Sequence, residues 1–170
     1  LRVVLRELLQ ALAYVHSHRI VHRDLKPSNV LIAGVGGPDP QAKLIDFGIA
    51  RAPYGDEDPD HQPGRPSNTV TGTPSYMAPE QILPRGRGEG PWTDLYALGC
   101  MTWSLCCGHP PFRGDTAQET VVAQVESTLP DFQPRFDVPA GLEEWLETLL
   151  RKSSVERFQR AAEALQQLDR

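Results

Sequence analysis

The chain has 170 residues, 39% of them hydrophobic, enough for one globular domain with a sizeable core. A formal net charge of -5 and the lack of any basic run longer than two residues argue against a nucleic-acid surface, which needs a basic stripe. No run approaches about 18 consecutive apolar residues and no basic-then-apolar leader opens the chain, so no membrane contact is expected from this segment.

Val4, Leu5, Leu8, Leu9, Leu12 and Val15 recur at the three-and-four spacing of a helix with one buried stripe, predicted over residues 4–15. No capping residue precedes Leu1, a blunt start that leads us to expect a domain cut from a longer chain. Val30-Leu31-Ile32 and Ala42-Lys43-Leu44-Ile45 are short β-prone runs, separated by glycines, prolines and Asp39. They predict an antiparallel pair with a loop longer than a tight turn, which needs helices beneath it to persist. Residues 52–68 have no apolar period and carry Asp56, Glu57, Asp58 and Asp60 among four prolines. A connector of that length inside a domain is more often functional or regulatory than passive.

Residues 92–107 are strongly apolar and predict a helix buried around most of its circumference, stopped by Gly108 and by Pro110-Pro111. Amphipathic helices follow over 117–125 and 142–150, the second with the stripe Leu142, Trp145, Leu146, Leu149 and Leu150. A last short helix is expected over 161–168. The fold class is therefore mainly α: a helical body around a buried central helix, with one small β-hairpin. Cys100, Cys106 and Cys107 lie in the apolar stretch without a C-x-x-C spacing, and read as buried thiols in a reducing, cytoplasmic setting.

One stretch does not fit a purely structural role. His22-Arg23-Asp24-Leu25-Lys26-Pro27-Ser28-Asn29 crowds charged and polar groups directly after the apolar pair Ile20-Val21. Asp24 suits a proton acceptor, Lys26 a point charge beside a phosphate, and Asn29 a ligand for a hard cation. Seventeen residues after Asn29 comes Asp46, followed by Phe47 and Gly48, a second candidate metal ligand in a turn. Each residue alone is common in loops. Together, in this order, they point to phosphoryl transfer.

The chain resembles the C-terminal lobe of a eukaryotic-type (Hanks-type) serine/threonine protein kinase, with matches from His22 to Arg157. Residues 22–29 resemble the catalytic loop and Asp46-Phe47-Gly48 the magnesium-positioning motif. Gly72-Thr73-Pro74-Ser75-Tyr76-Met77-Ala78-Pro79-Glu80 resembles the end of the activation segment, and Asp94-Leu95-Tyr96-Ala97-Leu98-Gly99 the start of the central helix. The ending Met77-Ala78-Pro79-Glu80-Gln81 is similar to that of bacterial members. The resemblance implies ATP and Mg2+ as cofactors and a protein carrying a Ser or Thr hydroxyl as substrate.

It also implies roles. Asp24 would be the catalytic base, Lys26 the phosphate contact, and Asn29 and Asp46 the ligands of two magnesium ions. Leu31 would lie beneath the adenine ring, with packing in the core as its competing fate. Thr73 would hydrogen-bond near Asp24 and Lys26 beside the target hydroxyl. His22 and Phe47 would stack in an apolar spine that Asp94 anchors by accepting backbone hydrogen bonds from the catalytic loop. Glu80 would form a shielded pair with Arg157. Arg23 would receive a phosphate from the activation segment, with Thr69 the first candidate and Thr71 its neighbour. The acids at 56–60 would either repel acidic substrates or simply solvate the loop.

The same comparison leaves parts unaccounted for, since the sequence has no G-x-G-x-x-G run and no lysine in a V-A-I-K context. The expectation is that residues 1–170 form the large lobe, with an activation segment over 46–80 and the N-terminal lobe absent. The missing lobe would then be a partner from the same parent chain, and residues 1–170 alone would be nearly inactive. A pseudokinase scaffold or nucleotide-sensing module is the alternative. Retention of Asp24, Lys26, Asn29 and Asp46 together argues against it.

Overall fold

The computed structural model describes residues 1–34, 41–47, 74–83 and 88–170. The first helix, α1 (Arg2–Ser17), buries Leu5, Leu8, Leu9 and Leu12 along one stripe. Full burial of such side chains stabilises the fold by about 1.5–3 kcal/mol each. At its start α1 packs against the last helix, α6 (Ala161–Leu168), where the Arg2 guanidinium donates to the Leu168 carbonyl. An exposed Arg6–Asp169 ion pair at 2.7 Å lies beside it and adds little.

Strands β1 (Val30–Ala33) and β2 (Gln41–Leu44) pair antiparallel, with Val30 opposite Leu44 and Ala33 opposite Gln41. Two strands alone are marginal in water. Here β2 lies on α1, and Val30, Ala42 and Leu44 pack against the core. Leu31 does not, because alternation places it on the open face of the hairpin, where it is 52% exposed. The core-packing alternative for Leu31 is thus not what the hairpin adopts.

Helix α3 (Pro91–Cys107) runs through the centre, with Leu95, Tyr96, Leu98, Cys100 and Trp103 among its buried residues. Pro91 at the first helical position needs no N–H partner, and Thr93 Oγ1 accepts from the Gly90 N–H at 3.0 Å. The helix stops at Gly108, whose φ of +78° favours glycine and whose N–H returns to the Ser104 carbonyl at 2.8 Å. Gly99 permits close approach of α5 (Leu142–Leu149), since a Cβ there would meet the Leu149 Cβ at 3.0 Å. Trp145 on α5 is buried and its indole N–H donates to the Ala164 carbonyl of α6 at 2.9 Å. Helix α4 (Ala117–Glu126) starts at Thr116, whose hydroxyl accepts from the Glu119 N–H at 3.1 Å. Its last carbonyls are capped by Lys152 Nζ, which bonds Ala123 at 3.2 Å and Gln124 at 2.7 Å and sits over the Phe112 ring.

The described residues are mainly helical with one small two-stranded sheet. Helix ends differ from the sequence reading by one or two residues, as frayed termini do. All three cysteines are free and buried. No helix among the described residues is long and apolar enough to cross a membrane. The acidic stretch 56–60 lies outside the described residues.

One buried ion pair closes this arrangement. Glu80 stands on the short helix α2 (Pro79–Ile82), and Arg157 forks onto both its carboxylate oxygens at 2.9 Å, with side chains 5% and 0% exposed. Arg157 also donates to the carbonyls of Arg151 at 2.6 Å, Lys152 at 2.9 Å and Trp92 at 3.2 Å. Thr93 Oγ1 donates to Glu80 Oε1 at 2.9 Å. Every donor of the guanidinium is used, which is the condition under which a buried charge is tolerated.

Two predictions follow from these buried groups. Removing one member of the pair, as in Arg157→Ala, strands the Glu80 carboxylate and costs about 3–5 kcal/mol. Urea unfolding checks it, and a loss below about 1 kcal/mol contradicts the stated burial. The second concerns alkaline pH. Burial pushes the Cys100 thiol up to about 12 from 9.0 and raises the Tyr96 phenol well above its usual value. Both keep their protons in the folded state while the unfolded chain loses them, so this stability is complete below pH 9 and is lost as pH rises toward 12. Lys152 acts oppositely, because burial lowers its amine to about 8 from 10.5 and stability gains between those values. Unfolding midpoints measured against pH are expected to rise slightly from 8 to 9, to level off while the Lys152 gain offsets the Cys100 loss, and to fall above 10.5. Cys100→Ala should make the fall shallower and Lys152→Met should remove the earlier gain.

Candidate active site

The loop after α1 is held by a carboxylate from the opposite side of the core. Asp94, in the first turn of α3, is fully buried. Its Oδ2 accepts from the His22 N–H at 2.8 Å and from His16 Nε2 at 2.7 Å, and its Oδ1 accepts from the Arg23 N–H at 2.8 Å. Three donors around one desolvated carboxylate fix two successive peptide units of the loop. His16 was not singled out by sequence. The available signal was its position four residues after Leu12, where a titratable ring continues the apolar stripe of α1.

With its N–H fixed, Arg23 takes a φ of +66°, a left-handed conformation that costs a non-glycine residue about 1–2 kcal/mol. Its carbonyl is held as well, accepting from Gln81 Nε2 at 2.8 Å. The Arg23 side chain forms an ion pair with Glu89 at 3.3 Å, an acid that sequence reading did not connect to it.

Asp24 and Lys26 follow directly, 29% and 23% exposed, with Nζ 2.6 Å from Asp24 Oδ2. Asn29 is buried, and its Nδ2 donates to the Asp24 carbonyl at 2.8 Å and to Asp24 Oδ2 at 3.3 Å. Spending the amide nitrogen on Asp24 leaves the Oδ1 end for a cation. The turn Pro27–Asn29 feeds straight into β1, so the hairpin determines where Asn29 sits.

The hairpin also delivers Asp46. One residue beyond the paired strands, the Ile45 N–H donates to the Asn29 carbonyl at 3.0 Å, and the Ile45 carbonyl accepts from His22 Nε2 at 2.9 Å. Gripped on both sides, Ile45 sets the following Asp46, exposed and at φ +52°, against the Asn29 strand end. His22 and Phe47 rings stack with centroids 4.6 Å apart. Asp24, Lys26, Asn29 and Asp46 are thus gathered at one end of the hairpin.

A second network reaches the segment at 74–76. Tyr96 donates to Gln124 Oε1 at 2.5 Å, and Gln124 Nε2 donates to the Pro74 carbonyl at 3.0 Å. Gly48, Thr69, Thr71 and Thr73 lie outside the described residues. The apolar recess of about 300 Å3 between α1, β1 and α3 is lined by Val4, Leu8, Val30, Ile32, Leu98 and Met101 among others and carries no charged group. It is not where the polar cluster stands.

No cluster of three His, Cys, Asp or Glu able to hold a metal exists among the described residues. One amide oxygen and one carboxylate are instead the sparse donor set that suits magnesium, which keeps most positions for phosphate oxygens and water. The residues present fit that ion.

Comparison with known proteins identifies the family. The model of the protein kinase domain family matches residues 1–168. The chain is 43% identical over 122 residues to the DNA damage-responsive serine/threonine-protein kinase RqkA of Deinococcus radiodurans, covering 72% of this chain and 17% of that protein. It is 37% identical over 156 residues to the serine/threonine-protein kinase Pkn1 of Myxococcus xanthus, covering 91% and 22% respectively. For PknA of Mycobacterium tuberculosis the figures are 36% over 149 residues, 88% and 31%. The chain therefore spans less than a third of the length of these relatives. With a family model matched over nearly its whole length and bacterial relatives of one kind, the chain belongs to the Hanks-type serine/threonine protein kinase family.

Proposed function

We propose that the protein containing this chain transfers the γ-phosphoryl group of ATP to serine or threonine hydroxyls of protein substrates, and that residues 1–170 are the large catalytic lobe. The observation carrying this reading is the Asp24–Lys26–Asn29 cluster on a loop anchored by Asp94. In the reaction the acceptor oxygen bonds to the γ-phosphorus as the bond to ADP breaks, and Asp24 takes the hydroxyl proton. Lys26 offsets the charge gathering on the phosphoryl oxygens, a point charge already within reach of Asp24. Asn29 and Asp46 would hold magnesium, which when bound neutralises the phosphates. Leu31, open on β1, offers an apolar platform for the adenine ring.

Support for the lobe assignment comes from the apolar surface left beside the site. Ile32 and Leu105 line the recess between α1, β1 and α3 and are exposed. A small lobe carrying the Gly-rich loop and its lysine would be joined to this lobe in the parent chain, and residues 46–80 would be its activation segment. Phosphorylation of Thr69, with Thr71 as neighbour, would give Arg23 an anion of about two charges to replace Glu89.

Asp24→Asn in the parent protein is expected to lower kcat by about 10^2- to 10^4-fold, the range of a lost general base. Transfer to a Ser/Thr acceptor protein measures it, and equal rates for both proteins would favour the scaffold reading. Residues 1–170 alone should transfer phosphate at a small fraction of the parent's rate. For regulation, mass spectrometry of active protein should find phosphate on Thr69 or Thr71. Neither modified, with Thr69→Ala fully active, removes the regulatory role.

A further inference from the structure

The geometry points to Gln81 as a positioning residue for Asp24, an inference that rests on the kinase reading above. Gln81 lies on α2, directly after the buried Glu80 of the pair with Arg157, and not in the catalytic loop. Its carboxamide is used at both ends. Oε1 accepts from the Ala78 N–H at 3.0 Å, and Nε2 donates to the Arg23 carbonyl at 2.8 Å.

The second bond is the informative one. The Arg23 carbonyl belongs to the peptide unit that joins Arg23 to Asp24, so its direction governs how Asp24 leaves the backbone. Arg23 itself sits at φ +66° and its N–H is already bound to Asp94. A residue in that conformation persists only when its surroundings over-determine it. Asp94 fixes the peptide before Arg23, and Gln81 fixes the one after. Asp24, Tyr76 and Gln81 line one small cleft, so α2 and the base face each other directly.

Only a side chain with one donor and one acceptor at this reach satisfies both contacts. A carboxylate presents oxygen to the Arg23 carbonyl and repels it, whereas a thioether leaves both backbone groups unmatched. Gln81 thereby couples the placement of residues 74–83 to the aim of Asp24. A displaced α2 would misdirect the base without touching substrate.

The test uses the full-length parent protein with Mg-ATP and casein as acceptor. Gln81→Met is expected to lower kcat by about 10- to 100-fold, the scale of a misplaced reacting group, with KM for ATP changed less than about twofold. Gln81→Glu should match that loss at neutral pH. Its kcat relative to native should then rise as pH is lowered toward the ordinary carboxylate range, because a protonated carboxyl again donates to Arg23 and accepts from Ala78. Native kcat in both variants, in a protein whose transfer depends on Asp24, overturns the inference alone. So does a loss that merely follows the thermal midpoint and shows no pH dependence in Gln81→Glu. A native protein with no Asp24-dependent transfer overturns the kinase reading and this inference with it.

Discussion

The buried carboxylate of Asp94 is the constraint on which the site depends. Taking a carboxylate wholly out of water costs several kcal/mol, which is tolerable only when its lone pairs are matched. Three donors do this: two loop N–H groups and the His16 ring. The first turn of α3 adds a favourable dipole for negative charge. Once Asp94 is buried, the loop cannot relax away from it without leaving that charge unmatched. Arg23 is therefore driven into its left-handed conformation, and the direction of Asp24 follows.

The neighbours of Asp94 show how much is concentrated in one helical turn. The Trp92 carbonyl accepts from Arg157, Thr93 donates to Glu80, and Asp94 holds the loop at His22 and Arg23. Three successive residues thus tie the C-terminal helices, α2 and the loop to the same end of α3. The helix itself contributes the rigidity, since most of its remaining length is packed in the core. A disturbance at Glu80–Arg157 can reach the loop through this turn of α3. Gln81 supplies a shorter route, one residue from Glu80 and bonded to the loop.

Much of the helical body was legible because its signals are local. Leu5, Leu8, Leu9 and Leu12 give the buried stripe of α1, and Gly108 the end of α3. The polar cluster was legible for a different reason, since Asp24, Lys26 and Asn29 are close in sequence and their chemistry is unusual together. His16 and Gln81 were not legible. Each works through a hydrogen bond to a residue 78 or 58 positions away, and neither local sequence says which distant group that bond will meet. Glu89 escaped for the same reason, as its contact with Arg23 spans a stretch without periodicity. Leu31 shows the limit in the other direction: the strand was predictable, but which face it would show depended on register against β2.

The distribution of burial among the charged groups separates those that hold the site from those proposed to react. Asp94, Glu80 and Arg157 are at or near zero exposure and have all their partners within the chain. Asp24 and Lys26 retain about a quarter of their exposure, and Asp46 stands open. A group that must meet a phosphate or a hydroxyl has to be reachable, so it cannot be stabilised by burial. Its orientation must come from groups that are buried. Because those groups are matched on folding, the donors and charges need little rearrangement when substrate arrives, the condition under which fixed dipoles lower a barrier most. Asp94 and the residues bonded to it supply that fixed surround, and the short reach from His22 to Asn29 carries it to the groups proposed to react.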